Sequence, residues 1–391
     1  MRLDGNALVS AVRYELERLR CSACGQIFTA ALPPAAGAEK YSARARAVLA
    51  RARYYLGVPL YRLGSYQALV GVPVPDATQW DQIEHVGDCA YPVFKYMEQL
   101  GAQGEVIYQD DTPARILALI AEHQQAPAQA HESAGATLRT GMYTTALIVQ
   151  VGERRICLYY AGRQHAGENL EVLLQKREPQ RDKPLVMSDA LASNKAEEKR
   201  LIRCHCLAHG RRKFSELADV FPAQSAVVTE ALKVVYEHDQ AAREQQLSAQ
   251  ARLAYHQRYS GPILDALKTW LEQQTTERRV EPNSSLGKAI AYLLGHWETL
   301  TRFLTVPGAP LDNNVAERAL TLCIRQRKNS LFYATEHSAY IASLLTSVIA
   351  TCLQAGVNAL EYLIAVQEHR HEVFANPSAW LPWTYPAALP P

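Results

Sequence analysis

Thr144-Thr145-Ala146-Leu147-Ile148-Val149-Gln150-Val151 runs through Gly152-Glu153 into Arg154-Arg155-Ile156-Cys157-Leu158-Tyr159-Tyr160. Two β-rich runs, 144–151 and 155–160, separated by a glycine-containing break, predict a β-hairpin. The pattern extends outward on both sides. Residues 105–110 form a short apolar strand after Gly104. Downstream, 167–176 reads as a helix, 184–188 as a short apolar strand and 201–205 as a fifth strand. Three strands, a helix, a strand, a helical piece and a strand define a mixed α/β order.

Helical sequence flanks this block. Residues 40–100 read as helical, with Val93, Met97 and Leu100 at helix spacing. Beyond residue 216, Ile263, Leu267, Trp270 and Leu271 mark one amphipathic helix. Leu286, Ile290, Leu293, Trp297, Leu300 and Leu304 mark another, with Ser284 and Ser285 as candidate caps. Ser260-Gly261-Pro262 and Glu281-Pro282-Asn283 are breaks. A further helix is expected over 337–355. The Pro- and Trp-rich stretch 376–391 is expected to lie against the surface.

With 391 residues and 48% hydrophobic content, the chain can bury a sizeable core. A net charge of +2 excludes a wholly basic protein but leaves room for local basic patches. The first 20 residues show no apolar signal core, and 340–357 is too short and hydroxylated for a membrane span. Eight cysteines without export read as reduced thiols or metal ligands, so a cytoplasmic location is expected. Walker, Gly-x-Gly-x-x-Gly, Gly-x-Ser-x-Gly and His-Glu-x-x-His motifs do not occur.

Three acidic side chains stand where chemistry would use them. Asp110 ends the first expected strand and Asp189 follows the later one. Carboxylates at the carboxyl ends of neighbouring strands in an open sheet converge in one crevice. Glu317 lies in Asp312-Asn313-Asn314-Val315-Ala316-Glu317-Arg318, where Pro310, Asp312 and Asn313 suit a helix start. Arg318, Arg325, Arg327 and Lys328 surround this acid with positive charge. Such acids repel one another unless divalent cations neutralise them, and Mg²⁺ or Mn²⁺ suits oxygen ligands. Two ions roughly 3.5–4 Å apart can clamp the attacking and leaving oxygens of an in-line phosphoryl displacement.

Several blocks carry a family likeness. They are Asp110-Asp111-Thr112-Pro113, Cys206-Leu207-Ala208-His209-Gly210-Arg211-Arg212-Lys213-Phe214, His296-Trp297 and the Asp312 to Leu320 run. On these the chain resembles the transposase of the insertion sequence 66 family over residues 15–370. The resemblance implies a ribonuclease-H-like α/β fold with an Asp-Asp-Glu triad of Asp110, Asp189 and Glu317. A helical insertion would stand before the Glu.

The expected organisation follows from this likeness. A partial zinc-ribbon-like segment spans 1–35 and a helical region 36–103. The catalytic domain spans 104–215 and 306–356, split by the insertion at 216–305, and a C-terminal tail covers 357–391. The resemblance further implies strand cleavage at element ends and joining of 3′-hydroxyls to target DNA. A homo-oligomer on DNA and accessory element-encoded proteins are the expected partners, and a nucleoid-associated cytoplasmic protein the expected setting. A hydrolysis-only nuclease of the same fold and an inactive DNA-binding remnant are the alternatives.

The chain departs from the family pattern at four places. Asp111 stands where the family has Glu, leaving Asp110 or Asp111 as first ligand, with Asp110 favoured by register. Ala190 to Asn194 replace a Gly-Tyr segment, and Thr321-Leu322 replace Arg-Pro. The N-terminus looks truncated beside the family's.

Cys21 and Cys24 have the spacing of half a zinc site. Cys206 and His209 could ligate a metal, though a structural role is favoured at a strand-to-helix junction. Arg211, Arg212, Lys213, Asn313, Asn314, Arg318, Arg325, Arg327 and Lys328 are candidate DNA contacts. Phosphate contacts add affinity and salt dependence without reading sequence. Asn313 and Asn314 are also candidates to shape the start of the Glu317 helix.

Overall fold

The computed structural model describes residues 7–125, 140–190 and 198–388. Residues 191–194, which replace the family's Gly-Tyr segment, lie outside the described residues. The chain opens with β1 (Arg18–Arg20), β2 (Ile27–Thr29), α1 (Ala43–Tyr54), α2 (Leu60–Leu69) and α3 (Asp76–Gly101). Then come β3 (Val106–Pro113), α4 (Leu117–Gln125), β4 (Tyr143–Val151), β5 (Arg154–Gly162), α5 (Ala166–Leu174), β6 (Leu185–Ser188) and β7 (Ile202–His205). Helices α6 (Leu207–Ser215), α7 (Pro222–Glu244), α8 (Ala249–Tyr259), α9 (Gly261–Thr276), α10 (Ser285–Gly295) and α11 (Trp297–Leu300) follow. The last are α12 (Asn314–Ser330), α13 (Glu336–Gln354), α14 (Ala359–Glu368), α15 (Arg370–Ala375) and α16 (Tyr385–Ala388).

These elements divide into two compact units. The first takes the described part of Met1–Phe94 with Arg325–Leu331 and Leu344–Pro391, and is helical apart from the β1–β2 hairpin. Its core includes Leu49, Leu63, Phe94, Tyr362, Leu363 and Val366. Trp380 and Leu381 are also buried, and Tyr362 Oη donates to the Trp380 carbonyl at 2.5 Å. The stretch expected to lie against the surface packs inward at Trp380 and Leu381. The indole and Leu381 side chain remove more apolar area from water inside the core than a surface position would allow.

The second unit, Lys95–Ile324 with Phe332–Ser343, holds a five-stranded sheet in the order β5-β4-β3-β6-β7. β3, β4 and β5 pair antiparallel, and β6 and β7 continue parallel to β3. The sheet is mixed and the unit α/β, as the sequence led one to expect. β4 is buried at nearly every position from Thr144 to Val149, as in a strand covered on both faces. Gly104 leads into β3 because a Cβ there would meet the Gln150 carbonyl at 2.7 Å.

β3 runs on to Pro113, so Asp110 lies inside the strand rather than at its end. Pairing with β4 carries it on, whereas pairing with β6 stops at Tyr108 opposite Met187. Asp110 therefore sits at the carboxyl end of the parallel half only.

Helices 222–295 pack on the sheet through one continuous core. It joins Leu185, Met187 and Phe214 to Val228, Leu267 and Leu293. The stripe from Leu286 to Leu304 is not one helix. The backbone leaves the helical region at His296 (φ −113°, ψ 12°) after Gly295, and a short turn follows. α13 is buried along most of its length, and among the described residues no helix is long and apolar enough to cross a membrane.

Candidate active site

Asp110 and Asp111 are neighbours on β3, so their side chains point to opposite faces. Asp111 is fully engaged. Its carboxylate accepts from Thr145 Oγ1 at 2.6 Å and from the Ala166 N–H at 2.8 Å, and lies 3.3 Å from His165 Nδ1. It anchors the first turn of α5, where the helix dipole favours a negative charge. Asp110 takes the other face, and one of its oxygens accepts from the Asp111 N–H at 2.8 Å.

Two further acids approach Asp110. Tyr108 stands opposite Met187, so two residues on, Asp110 comes level with Asp189, one residue past β6. Glu317 arrives from the first turn of α12. The segment before that helix is clamped at three points. Leu207 N–H donates to the Leu311 carbonyl at 2.9 Å, Asn313 N–H to Cys206 Sγ at 3.2 Å, and Asn313 Nδ2 to the Gln109 carbonyl at 2.9 Å. The last bond ties the start of α12 to the residue next to Asp110.

The Asp110 carboxyl is pushed up to about 7. Burial is the main cause, opposed by the Asp111 N–H and reinforced by the negative charges of Asp189, Glu317 and Asp111. Asp189 and Glu317 thus both lie within electrostatic reach of Asp110. Tyr292 is raised to about 12 by burial and by the Asp189 charge, which puts its phenol near the second acid.

Cys206 and His209 stand beside Glu317. One ligand atom from each of the three lies within 4.8 Å of the others, and His209 Nε2 is 3.7 Å from Glu317 Oε1. Cys206 is buried at the N-cap of α6, and burial pushes its thiol to about 11 against the pull of the Asn313, His209 and Ala208 N–H groups. The buried Nδ1 of His209 has no hydrogen-bond partner. The sequence offers Cys206-x-x-His209 as a visible signal, but nothing local tells that Glu317 completes the group.

Basic side chains surround the start of α12. A cleft of about 620 Å³ is lined by Arg155, Arg211, Lys233, Arg243, Arg252 and Arg318, with Tyr108, Tyr236, Asp312 and Asn314. It flanks the α12 N-terminus and is not lined by Asp110, Asp189 or Glu317. Arg212 is exposed and 3.8 Å from Glu216, and Lys213 Nζ lies over the Tyr292 ring at 4.4 Å. Arg325, Arg327 and Lys328 belong to the later turns of α12, within the first unit. There Arg325 donates to the Tyr55 carbonyl at 3.1 Å. Asn313 is wholly buried, so the expectation that it contacts DNA is corrected: its amide is committed to the Gln109 carbonyl.

Cys21 and Cys24 stand in the β1–β2 turn as free thiols. Hydrogen bonds from Cys24 and Ala23 lower the Cys21 thiol. Among the described residues, no third Cys, His, Asp or Glu joins them within metal-sharing distance.

Residues 39–341 match the family described as Transposase IS66 family. The chain belongs to the IS66 transposase family. "Uncharacterized protein y4hP" of Sinorhizobium fredii (strain NBRC 101917 / NGR234) is 30% identical over 314 residues, covering 75% of this chain and 53% of that protein. "Uncharacterized protein y4jD" of the same organism is 31% identical over 164 residues, 42% of this chain and 31% of its own length. This IS66-family chain thus spans about half the length of the first of these relatives, 53%. No solved structure matches it.

Proposed function

We propose that the chain is the catalytic part of an Asp-Asp-Glu DNA transposase, with Asp110, Asp189 and Glu317 as the triad. It cuts strands at element ends and joins the freed 3′-hydroxyls to target DNA. The observation that carries this reading is the register that sets Asp110 level with Asp189, with the start of the Glu317 helix tied to the same strand through Asn313 and Gln109; both charges act on Asp110. Carboxylates whose charges bear on a partly buried neighbour of the same sign are a poor arrangement for a metal-free protein and a good donor set for hard divalent cations. Bound among them, Mg²⁺ or Mn²⁺ would supply Lewis acidity to the attacking and leaving oxygens.

The chain's own residues supply position. Asn313 holds the α12 start against β3, so the Glu317 carboxylate is delivered beside Asp110. Asp111 is occupied at α5, which favours Asp110 as the first ligand. Arg211, Arg212, Lys213, Asn314 and Arg318 offer charge and hydrogen bonds to phosphates near the triad; in the first unit, Arg325, Arg327 and Lys328 offer charge to DNA. DNA is the partner; a homo-oligomer on DNA, accessory element-encoded proteins and a nucleoid-associated cytoplasmic setting accompany this reading.

The test is a strand-transfer assay with DNA carrying the ends of the chain's own element and Mg²⁺ or Mn²⁺. Wild type should give joined products from a pre-cleaved end. Asp110→Asn, Asp189→Asn and Glu317→Gln should each reduce them by at least a hundredfold. Cleavage without joining would replace transposition with hydrolysis only. DNA binding indifferent to Mg²⁺ and to Glu317→Gln would reduce the chain to an inactive DNA-binding protein.

A further inference from the structure

We propose that Cys206, His209 and Glu317 form a second metal site, selective for zinc-like cations, which withdraws Glu317 from the triad when filled. The consequence for catalysis rests on the proposed function; the binding itself does not.

The ligand chemistry sets the class of ion. A thiol, an imidazole and a carboxylate, with atoms within 4.8 Å of one another, match the mixed sulfur, nitrogen and oxygen donors that Zn²⁺ takes in tetrahedral sites. Mg²⁺ prefers oxygen alone, so the sulfur and imidazole discriminate against it. Three protein ligands leave a fourth position for water. On binding, the Cys206 thiol gives its proton to solvent and one Zn–S bond forms. Thiolate and carboxylate then balance the ion's two positive charges.

Two further observations concern the same residues. Backbone N–H groups of Asn313, His209 and Ala208 hydrogen-bond to Cys206 Sγ, the arrangement that steadies a metal-bound thiolate. The buried Nδ1 of His209 lacks any partner, an unmet polar group that needs a reason where burial is otherwise satisfied.

Glu317 is the shared element. It acts on Asp110 from the first turn of α12 and lies 3.7 Å from His209. One carboxylate cannot serve a hard-cation site with Asp110 and a thiolate site with Cys206 equally well at the same moment. Zinc-like ions should therefore inhibit a Mg²⁺-dependent reaction by competition for this residue.

The experiment titrates Co²⁺, then Zn²⁺, into the full chain carrying Cys21→Ser and Cys24→Ser, under reducing conditions. The parent should bind one Co²⁺ with a thiolate-to-cobalt charge-transfer band that Zn²⁺ abolishes. Cys206→Ser should lose the band, and His209→Gln should weaken binding at least tenfold. No band in the parent, or an undiminished band in folded Cys206→Ser, overturns the site. If Cys206→Ser does not fold by circular dichroism, His209→Gln decides: unchanged Co²⁺ affinity overturns it. Strand transfer in Mg²⁺ is then compared with and without equimolar Zn²⁺ within each protein. At least tenfold slowing in the parent and little in His209→Gln supports the competition; equal slowing in both overturns it. Absence of any strand transfer bears on the proposed function, while the cobalt band still decides the site.

Discussion

Asp110 and Asp111 differ by one position and have opposite fates. Asp111 is consumed by Thr145, Ala166 and His165, whereas Asp110 meets Asp189 and Glu317. Alternation along a strand explains the split, but the sequence alone left both open because no local signal says which face carries α5. The raised Asp110 carboxyl has a stability consequence. Between pH 4 and about 7 the folded, metal-free chain holds a proton there that the unfolded chain has lost, so stability falls as pH rises across that window. Asp110→Asn should be more stable than wild type at pH 8 by on the order of 3 kcal/mol in chelator, with the gap closing near pH 4. Denaturant melts at the two pH values check the sign. Asn313→Ala should cost about 1–3 kcal/mol by removing the buried amide that donates to the Gln109 carbonyl. It should also weaken Mn²⁺ binding by loosening Glu317, an effect that a merely structural loss elsewhere would not produce.

At the scale of elements, the sheet was legible because its signals are local. The 144–160 hairpin appears as β4 and β5, and 184–188 and 201–205 as β6 and β7, each within one or two residues. α4 was not read, because residues 117–125 carry a weak apolar face whose Leu119 clusters with the adjacent Ile116 and with Met142, Ala161, Tyr333 and Ala339 from distant parts of the unit. The helical insertion was read as a stripe of leucines, but its polar centre was not. Asp239 on α7 is fully buried and paired with Arg243, Arg252 and, at 3.2 Å, His256. Burial would raise its carboxyl, yet the His256 bond and the two guanidinium charges hold it down to about 2. Asp239→Asn should destabilise the chain by about 3–5 kcal/mol at pH 7, since charges from α7 and α8 lose their common partner. This contribution is present above pH 4 and fades as pH falls towards 2, so the gap between variant and wild type should narrow across that range in urea melts.

For the whole molecule, sequence order and unit membership differ. The reading kept 36–103 and 357–391 apart, whereas the first unit takes residues from both. Arg44 pairs with Glu361 at 3.1 Å, a contact across the chain that composition cannot announce. The second unit carries Asp110, Asp189, Glu317 and the cleft lined by Arg211 and Arg318. DNA affinity should therefore fall steeply with salt, and Arg211→Ala and Arg318→Ala should each lower the slope of log K against log salt by about 1. Fluorescence anisotropy at several salt concentrations reads this, and unchanged slopes would remove those residues from the DNA path. The account as a whole stands on three carboxylates sharing divalent cations. Its most direct measurement is Mn²⁺ binding by electron paramagnetic resonance in wild type, Asp110→Asn, Asp189→Asn and Glu317→Gln. Each substitution should weaken Mn²⁺ binding at least tenfold while the chain stays folded; wild-type affinity retained in all three would contradict the account.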